Sequence, residues 1–514
     1  MRKRVLLAFL LLMFALTAAE GCGTDFYVRK GASGSNNGTD WNNAWNEMNQ
    51  INWSSVACGD TIWLAGNNGG TPYSTNLTLN KSCTSSTVVN VNRVLSTDSV
   101  PTAAAGWNSS YDSQVVISGA EIVLAAGAYY TINGRLGTVA GNNFGISVRA
   151  TGSSGGNTLD GAASGSLSNI IVSYVEFYGP PCVTAGTCTS NADGFNVASS
   201  SSNTVKNLLL DHLWIHRFAE SIRTSNWSGG AIQYSEIDTT GSTPAEHEDL
   251  MYSYPSTNMT WHHNIIWGSP NDGIFHEYGG AVNLRFYDNI YYHSGAWTIC
   301  FKNDGNTYGP VFIYNNLFEN DGTFGDYQPS YMGDARGGVN LAPGSEIANN
   351  IFYNSYNQYA PNDSNHNAYS TGAGSETGGV SYAPGKPLNS FKGFVNMDSS
   401  NPAAADFHLT AAGQALFVGK GKNLGAPYNV DFDGNTRPAT GAWTIGPFEY
   451  SGTQAQAPAS ADQSCCRGTR STTRMSAEPM PEPRKDDACH RNFLLGENPK
   501  GSSLAFFQAL DVRN

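Results

Sequence analysis

A short phrase returns along this chain, and that return limits what it can fold into. An apolar strand, a polar turn and a second short strand recur at Ile171–Phe177, Leu210–Ile215, Ile232–Ile237, Trp261–Ile266, Phe286–Tyr291, Ile313–Phe318 and Ile347–Phe352. Aligned on the turn, the copies sit at 175, 213, 235, 264, 289, 316 and 350, in steps of 38, 22, 29, 25, 27 and 34 residues. Steps in the twenties, with longer ones holding insertions, suit one coil of a parallel β-solenoid. No coil buries its apolar face alone, but stacked coils form a continuous core. A propeller blade needs about 40–45 residues. A β-sandwich gives no reason for one residue type to return at one register. Here the turn position is Asn four times running, at Asn264, Asn289, Asn316 and Asn350. Stacked amides about 4.8 Å apart can hydrogen-bond from coil to coil, and Asn tolerates the left-handed turn conformation. The expected class is all-β, a parallel solenoid.

Composition agrees. Gly is 57 of 514 residues, and Gly and Asn are poor helix formers, which argues against a helical bundle. Hydrophobics are 40% and charged residues 13%, enough apolar content for a core. The net charge of -13 argues against a nucleic-acid binder, which needs a basic face. Arg2, Lys3 and Arg4 precede an apolar run from Val5 to Ala19, the pattern of a secretory signal over residues 1–21. The run is shorter than the ~20 residues a spanning helix needs, so no transmembrane segment is expected. Cys22 offers a second route outward, lipid attachment, although Ala19-Glu20-Gly21 matches a lipoprotein box poorly. Residues 22–450 carry the acidity and form the expected solenoid domain. Residues 451–514, with Pro479, Pro481, Pro483 and scattered charge, read as a disordered tail. Nine cysteines fit an oxidising compartment. Cys182 and Cys188 bracket a short loop and are the first disulfide candidate, Cys58 and Cys83 the second. Cys300 lies in an apolar run and is expected as a buried thiol.

At this point the chain resembles the right-handed parallel β-helix superfamily of pectate lyases and polygalacturonases. The entry segment Phe26-Tyr27-Val28, Asn37-Gly38-Thr39, Trp41, Ala44-Trp45 and Cys58-Gly59-Asp60-Thr61-Ile62-Trp63-Leu64 is similar to that of exported β-helix proteins with an N-terminal cap. The exit segment Asp431-Phe432-Asp433-Gly434-Asn435, Arg437-Pro438 and Ile445-Gly446-Pro447-Phe448-Glu449 is similar as well. Asn191-Ala192-Asp193-Gly194-Phe195-Asn196 resembles the polygalacturonase Asn-Thr-Asp-Gly strand, which implies a catalytic role for Asp193. One coil later that family has paired Asp residues, and here Ala219-Glu220-Ser221 stands instead. The family's later Gly-His-Gly and Arg-Ile-Lys motifs and the pectate-lyase signatures are absent.

The candidate chemistry sits in the other strand of each coil. Its apolar anchors align as Phe195, Ile222, Leu250, Ile274, Ile299 and Val339. Two residues earlier stand Asp193, Glu220, Glu248, Asp272, Trp297 and Gly337, with Asp249 beside Glu248. Arg223, His276 and Lys302 follow their anchors by one, two and three residues. Carboxylates stacked about 5 Å apart do not all ionise cheaply. A cation, a shared proton or Arg223 and Lys302 must relieve them. The same acids also suit turn capping. The expected catalytic set is Asp193, Arg223, Glu248, Asp249, Asp272 and Lys302. The expected substrate contacts are His247, His276, Tyr252 and Tyr278. His262 and His263 are expected as stacked or surface residues, and most of the central aromatics as core.

Two chemistries would use such a set. A glycosidase needs two carboxylates about 6.5–9.5 Å apart for inversion. A polysaccharide lyase needs a cation, commonly Ca²⁺ on oxygen ligands, and a Lys or Arg base. The expected protein is therefore an exported monomer that cleaves a polysaccharide, with Ca²⁺ as the candidate cofactor. The alternative is a non-catalytic adhesion or carbohydrate-binding solenoid, whose long side face is its function.

Overall fold

In the computed structural model, residues 23–450 are described except for 136–143, 152–157, 162–165, 180–192, 199–203, 239–249, 269–271, 294–296, 321–329, 334–340, 360–363, 372–375, 384–389, 398–404 and six single positions. The expected signal segment, Cys22, the 451–514 tail, the Cys182–Cys188 pair, His247, Glu248, Asp249 and Tyr278 lie outside the described residues. So do the side chains of Asp193 and Asp272.

Three long sheets run through residues 25–381. The first has twelve strands, from Asp25–Val28 to Ser364–Asn365. The second has eleven, from Val115–Ser118 to Val380–Ser381. The third has ten, from Leu77–Leu79 to Ser355–Asn357. Every neighbour in them is parallel, and each coil visits the third, first and second sheets in turn, as Asp193–Ala198, Val205–Asp211 and Trp214–His216 do. Parallel crossovers of this kind take the right-handed sense. The chain is a right-handed parallel β-helix.

The repeat register is the one the turn phrase predicts. Val172, Leu210, Ile232, Trp261, Phe286, Ile313 and Ile347 occupy one column of the first sheet. All are buried, because alternate residues of a strand share a face and this face is the interior. The second sheet stacks Tyr291, Phe318, Phe352 and Tyr369 inward, with ring centroids 4.9–5.0 Å apart.

The asparagines form a continuous buried ladder. The backbone N–H and side-chain amide of Asn264 both donate to Asn289 Oδ1, at 3.1 and 3.0 Å. Asn289 donates likewise to Asn316, Asn316 to Asn350, and Asn350 to Asn367. Each amide's second N–H goes to a first-sheet carbonyl, as from Asn289 to Trp261 at 2.9 Å. Both donors and the acceptor of each buried amide are therefore used. Ser235 begins the series and Glu376 ends it, accepting from Asn367 N–H at 2.6 Å. The left-handed conformation falls one residue before the ladder, at His212, Tyr234, His263, Asp288, Asn315, Asn349 and His366, and not on the ladder asparagines themselves. The amide is thus selected for hydrogen bonding rather than for φ.

The disulfide Cys58–Cys83 forms. Cys300 is buried and outside it. The described residues of 391–397 and 405–450 pack on the later coils. Arg437, fully buried, donates to Asp288 Oδ1 at 2.6 Å and to Glu449 at 3.1 Å. No helix among the described residues is long and apolar enough to cross a membrane.

Candidate active site

The third sheet positions the candidate groups. Ile222, Met251, Ile274 and Ile299 share an inward column, as do Thr224, Ser253, His276 and Phe301. Between these columns Asn196, Arg223, Tyr252, Phe275 and Cys300 share the alternate, outward position on consecutive rungs. Ladder bonding continues one residue further. Glu277 N–H donates to Ser253 O at 3.1 Å and Lys302 N–H to His276 O at 2.9 Å. Glu277 and Lys302 therefore occupy the same position on adjacent rungs.

Four of these side chains cluster, with the Phe275 ring beside them. Lys302 Nζ contacts Glu277 Oε1, and the Tyr252 hydroxyl donates to Glu277 Oε2. The Arg223 guanidinium carbon lies 5.8 Å from the centre of the Tyr252 ring, and the Phe275 ring lies 5.6 Å from it. Glu277 is 5% exposed. A carboxylate so enclosed is tolerable because both oxygens have a charged or hydroxyl partner. Beside it Tyr308 donates to Asp304 Oδ2 at 3.0 Å. Burial, with the charges of Asp304 and Glu277, pushes the Tyr308 phenol upward.

The expected site residues divide. Arg223, Tyr252 and Lys302 are brought together. Asp193 pairs in register with Glu220, and Asp272 with Trp297. One coil needs a one-residue correction. Met251, not Leu250, lies between Ile222 and Ile274. A coil later the register partner of Trp297 is Tyr331, where the sequence spacing had put Gly337. His276 is corrected too. It points inward, is 1% exposed, and stacks on Phe301 at 4.8 Å with Trp261 and Phe286 at 6.0 Å. A side chain enclosed by these rings is core and offers no surface to a polymer. Burial lowers its pKa to about 3.

The residue that sequence reasoning passed over is Glu277. It follows Ile274 by three positions, as Lys302 follows Ile299, so the signal was there. Attention to acids before the anchor hid the acid after it. His262 and His263 are stacked, as expected: His262 on Tyr287 at 4.8 Å, and His263 on Phe432 at 6.1 Å. Among the described residues, no three His, Cys, Asp or Glu side chains converge as metal ligands.

No protein-family model matches the sequence, and no curated protein matches it. Among solved structures the fold is similar to pectate lyase Pel9A, at 14% identity over 84% of this chain and 97% of that one, with a TM-score of 0.45. It is similar to a rhamnogalacturonan lyase at 11% identity, 76% and 98% coverage and a TM-score of 0.41. It is also similar to XylC in complex with xylose, at 10% identity, 82% and 98% coverage and a TM-score of 0.40.

Proposed function

We propose that the protein is an exported, carbohydrate-active β-helix enzyme that cleaves a uronic-acid polysaccharide by β-elimination on the outer face of the third sheet. The cluster of Arg223, Tyr252, Glu277 and Lys302 carries this reading. Hydrolysis works through two carboxylates. The cluster contributes one, and both oxygens of Glu277 are engaged. β-Elimination needs the uronate charge offset and a proton acceptor beside the carbon that loses its hydrogen. Arg223 supplies a planar cation suited to a carboxylate. The Tyr252 and Phe275 rings suit the apolar face of a sugar. A Ca²⁺ ion on the acidic register, where Asp193 and Glu220 pair on neighbouring rungs, would share in neutralising the uronate.

The test is a polysaccharide panel incubated with the purified protein, with Ca²⁺ and with a chelator. Unsaturated-uronide absorbance and reducing ends are read together. A rise in both supports β-elimination, and loss of both on chelation assigns a role to the metal. Reducing ends without absorbance overturn elimination in favour of hydrolysis. Silence in both, with retained polymer binding, replaces the enzyme with an adhesion or carbohydrate-binding solenoid.

A further inference from the structure

We infer that Tyr252, Glu277 and Lys302 form a closed proton relay, with Tyr252 as the group that takes the proton from the sugar and Lys302 as the group that protonates the leaving oxygen. This rests on the β-elimination reading above and specifies how that site would work.

The geometry is a line across three consecutive rungs. Tyr252, Phe275 and Cys300 mark those rungs in register. Glu277 belongs to the middle rung and reaches both neighbours, Tyr252 through Oε2 and Lys302 through Oε1. Tyr252 and Lys302 start two rungs apart, with neighbouring rungs about 4.8 Å apart, and their side chains meet on the two oxygens of one carboxylate. The buried Glu277 carboxylate lies between them and contacts both. Lys302, an ammonium clasped by a carboxylate, is poorly placed to accept a proton and well placed to give one. Tyr252 has the opposite character, because its hydroxyl proton already points at an acceptor.

The step balances within these three groups. The Tyr252 oxygen takes the hydrogen from the carbon beside the uronate carboxylate as its own hydroxyl proton passes to Glu277 Oε2. The electron pair of the broken C–H bond forms the carbon–carbon double bond, and the glycosidic carbon–oxygen bond breaks. The leaving oxygen takes a proton from the Lys302 ammonium. The proton on Glu277 then crosses to the Lys302 amine. Tyrosine, carboxylate and ammonium are all restored, and the net change is one proton moved from carbon to the leaving oxygen. Arg223, beside the Tyr252 ring, faces the position where the uronate charge grows.

The relay separates Lys302 from a plain salt bridge. Arginine keeps the ion pair with Glu277 but does not release a proton in this range. The experiment compares the full-length protein with Tyr252→Phe and Lys302→Arg on polygalacturonate and on alginate. It follows product absorbance against pH and measures polymer binding in parallel. The expected result is a fall in kcat of about 10²–10⁴-fold for each variant, with KM within about threefold and binding retained. Lys302→Arg should also lose the alkaline limb of the pH profile. Tyr252→Phe turning over within threefold of the parent, or Lys302→Arg restoring full activity, overturns the relay and leaves the β-elimination reading standing. A parent protein that gives no unsaturated product on either polymer overturns both.

Discussion

The outer face of the second sheet changes character halfway along. One outward column runs Glu176, Trp214, Glu236, then Ile265, Ile290, Leu317, Ile351 and Ala368. The next runs Tyr178, His216, Asp238, then Trp267, Tyr292, Glu319 and Tyr353. From Trp267 and Ile290 onward these side chains, all but the buried Glu319, form an apolar cluster with Phe394, Phe407, Phe417, Phe432, Ile445 and Phe448 of the returning C-terminal segment. The earlier rungs lie outside that cluster and are tied by polar contacts. His216 meets Glu176 at 3.1 Å, and the Trp214 indole donates to Asp238 at 3.1 Å. The backbone repeat is the same in both halves. What lies over an outward position, rather than the coil itself, decides its residue type.

The sharpest way to break the comparison is to remove what pins the cover. Arg437→Met deletes the partner of buried Asp288 and Glu449, a change expected to cost about 3–5 kcal/mol. Denaturant unfolding should show the loss. An unchanged midpoint would mean that the apolar contacts alone hold the segment. Next is Leu317→Ala, which hollows the covered half and should cost about 2–4 kcal/mol by the same measurement. A cost below about 1 kcal/mol would mean that the cover is loosely packed.

The third effect depends on pH. His408 lies between Asp406 Oδ1 at 2.5 Å and Asp433 Oδ2 at 2.7 Å and packs on Phe448 at 4.1 Å. Burial pulls its pKa down, but the two carboxylates outweigh burial and raise it to about 9. Its contribution is complete below the unfolded value of about 6.5 and fades as pH rises through 9. Thermal unfolding should show on the order of 1–3 kcal/mol lost between pH 6.5 and 9, and His408→Gln should flatten that slope. The solenoid body behaves in the opposite way. Burial holds His262 at about 3 and His263 at about 4, so their contribution is present above pH 6.5 and fades on acidification. The smallest effect belongs to the polar half. Glu236→Gln keeps an acceptor for the Trp267 indole, now 2.9 Å away, and should change stability by less than about 1 kcal/mol.

The fold was legible because two signals with different causes coincided. Apolar anchors report burial and the Asn series reports hydrogen bonding, so their shared spacing left few architectures. Legibility failed where insertions displaced the spacing. The segment 239–249 precedes Met251, and counting through it put the anchor one residue early, on Leu250. Nothing in the spacing separates Leu from Met as an inward residue. The left-handed turn was assigned to Asn264 and its successors because Asn tolerates that conformation. Its actual holders, His212, Tyr234, His263, Asp288, Asn315, Asn349 and His366, stand one residue earlier, and their mixed types make no repeat that the eye would pick out. The outer cluster was half visible. Lys302, Arg223 and Tyr252 stood out as residue types, but that Glu277 joins two of them depends on contacts between rungs, which a single coil's sequence does not express.

The asparagine ladder runs in one direction. Asn264 accepts one hydrogen bond from Ser235, and from Asn289 onward every rung accepts two from the rung before it and passes two to the rung after it, until Glu376, which accepts and has no amide to pass on. From Asn289 to Asn367 import therefore equals export. A coil duplicated or deleted between Ser235 and Glu376 would leave no donor stranded, because the same bonds would close over the new neighbour. The length of this solenoid is in that sense a free parameter. Coils can be counted in or out like links of a chain, while the chemistry of its two ends stays the same.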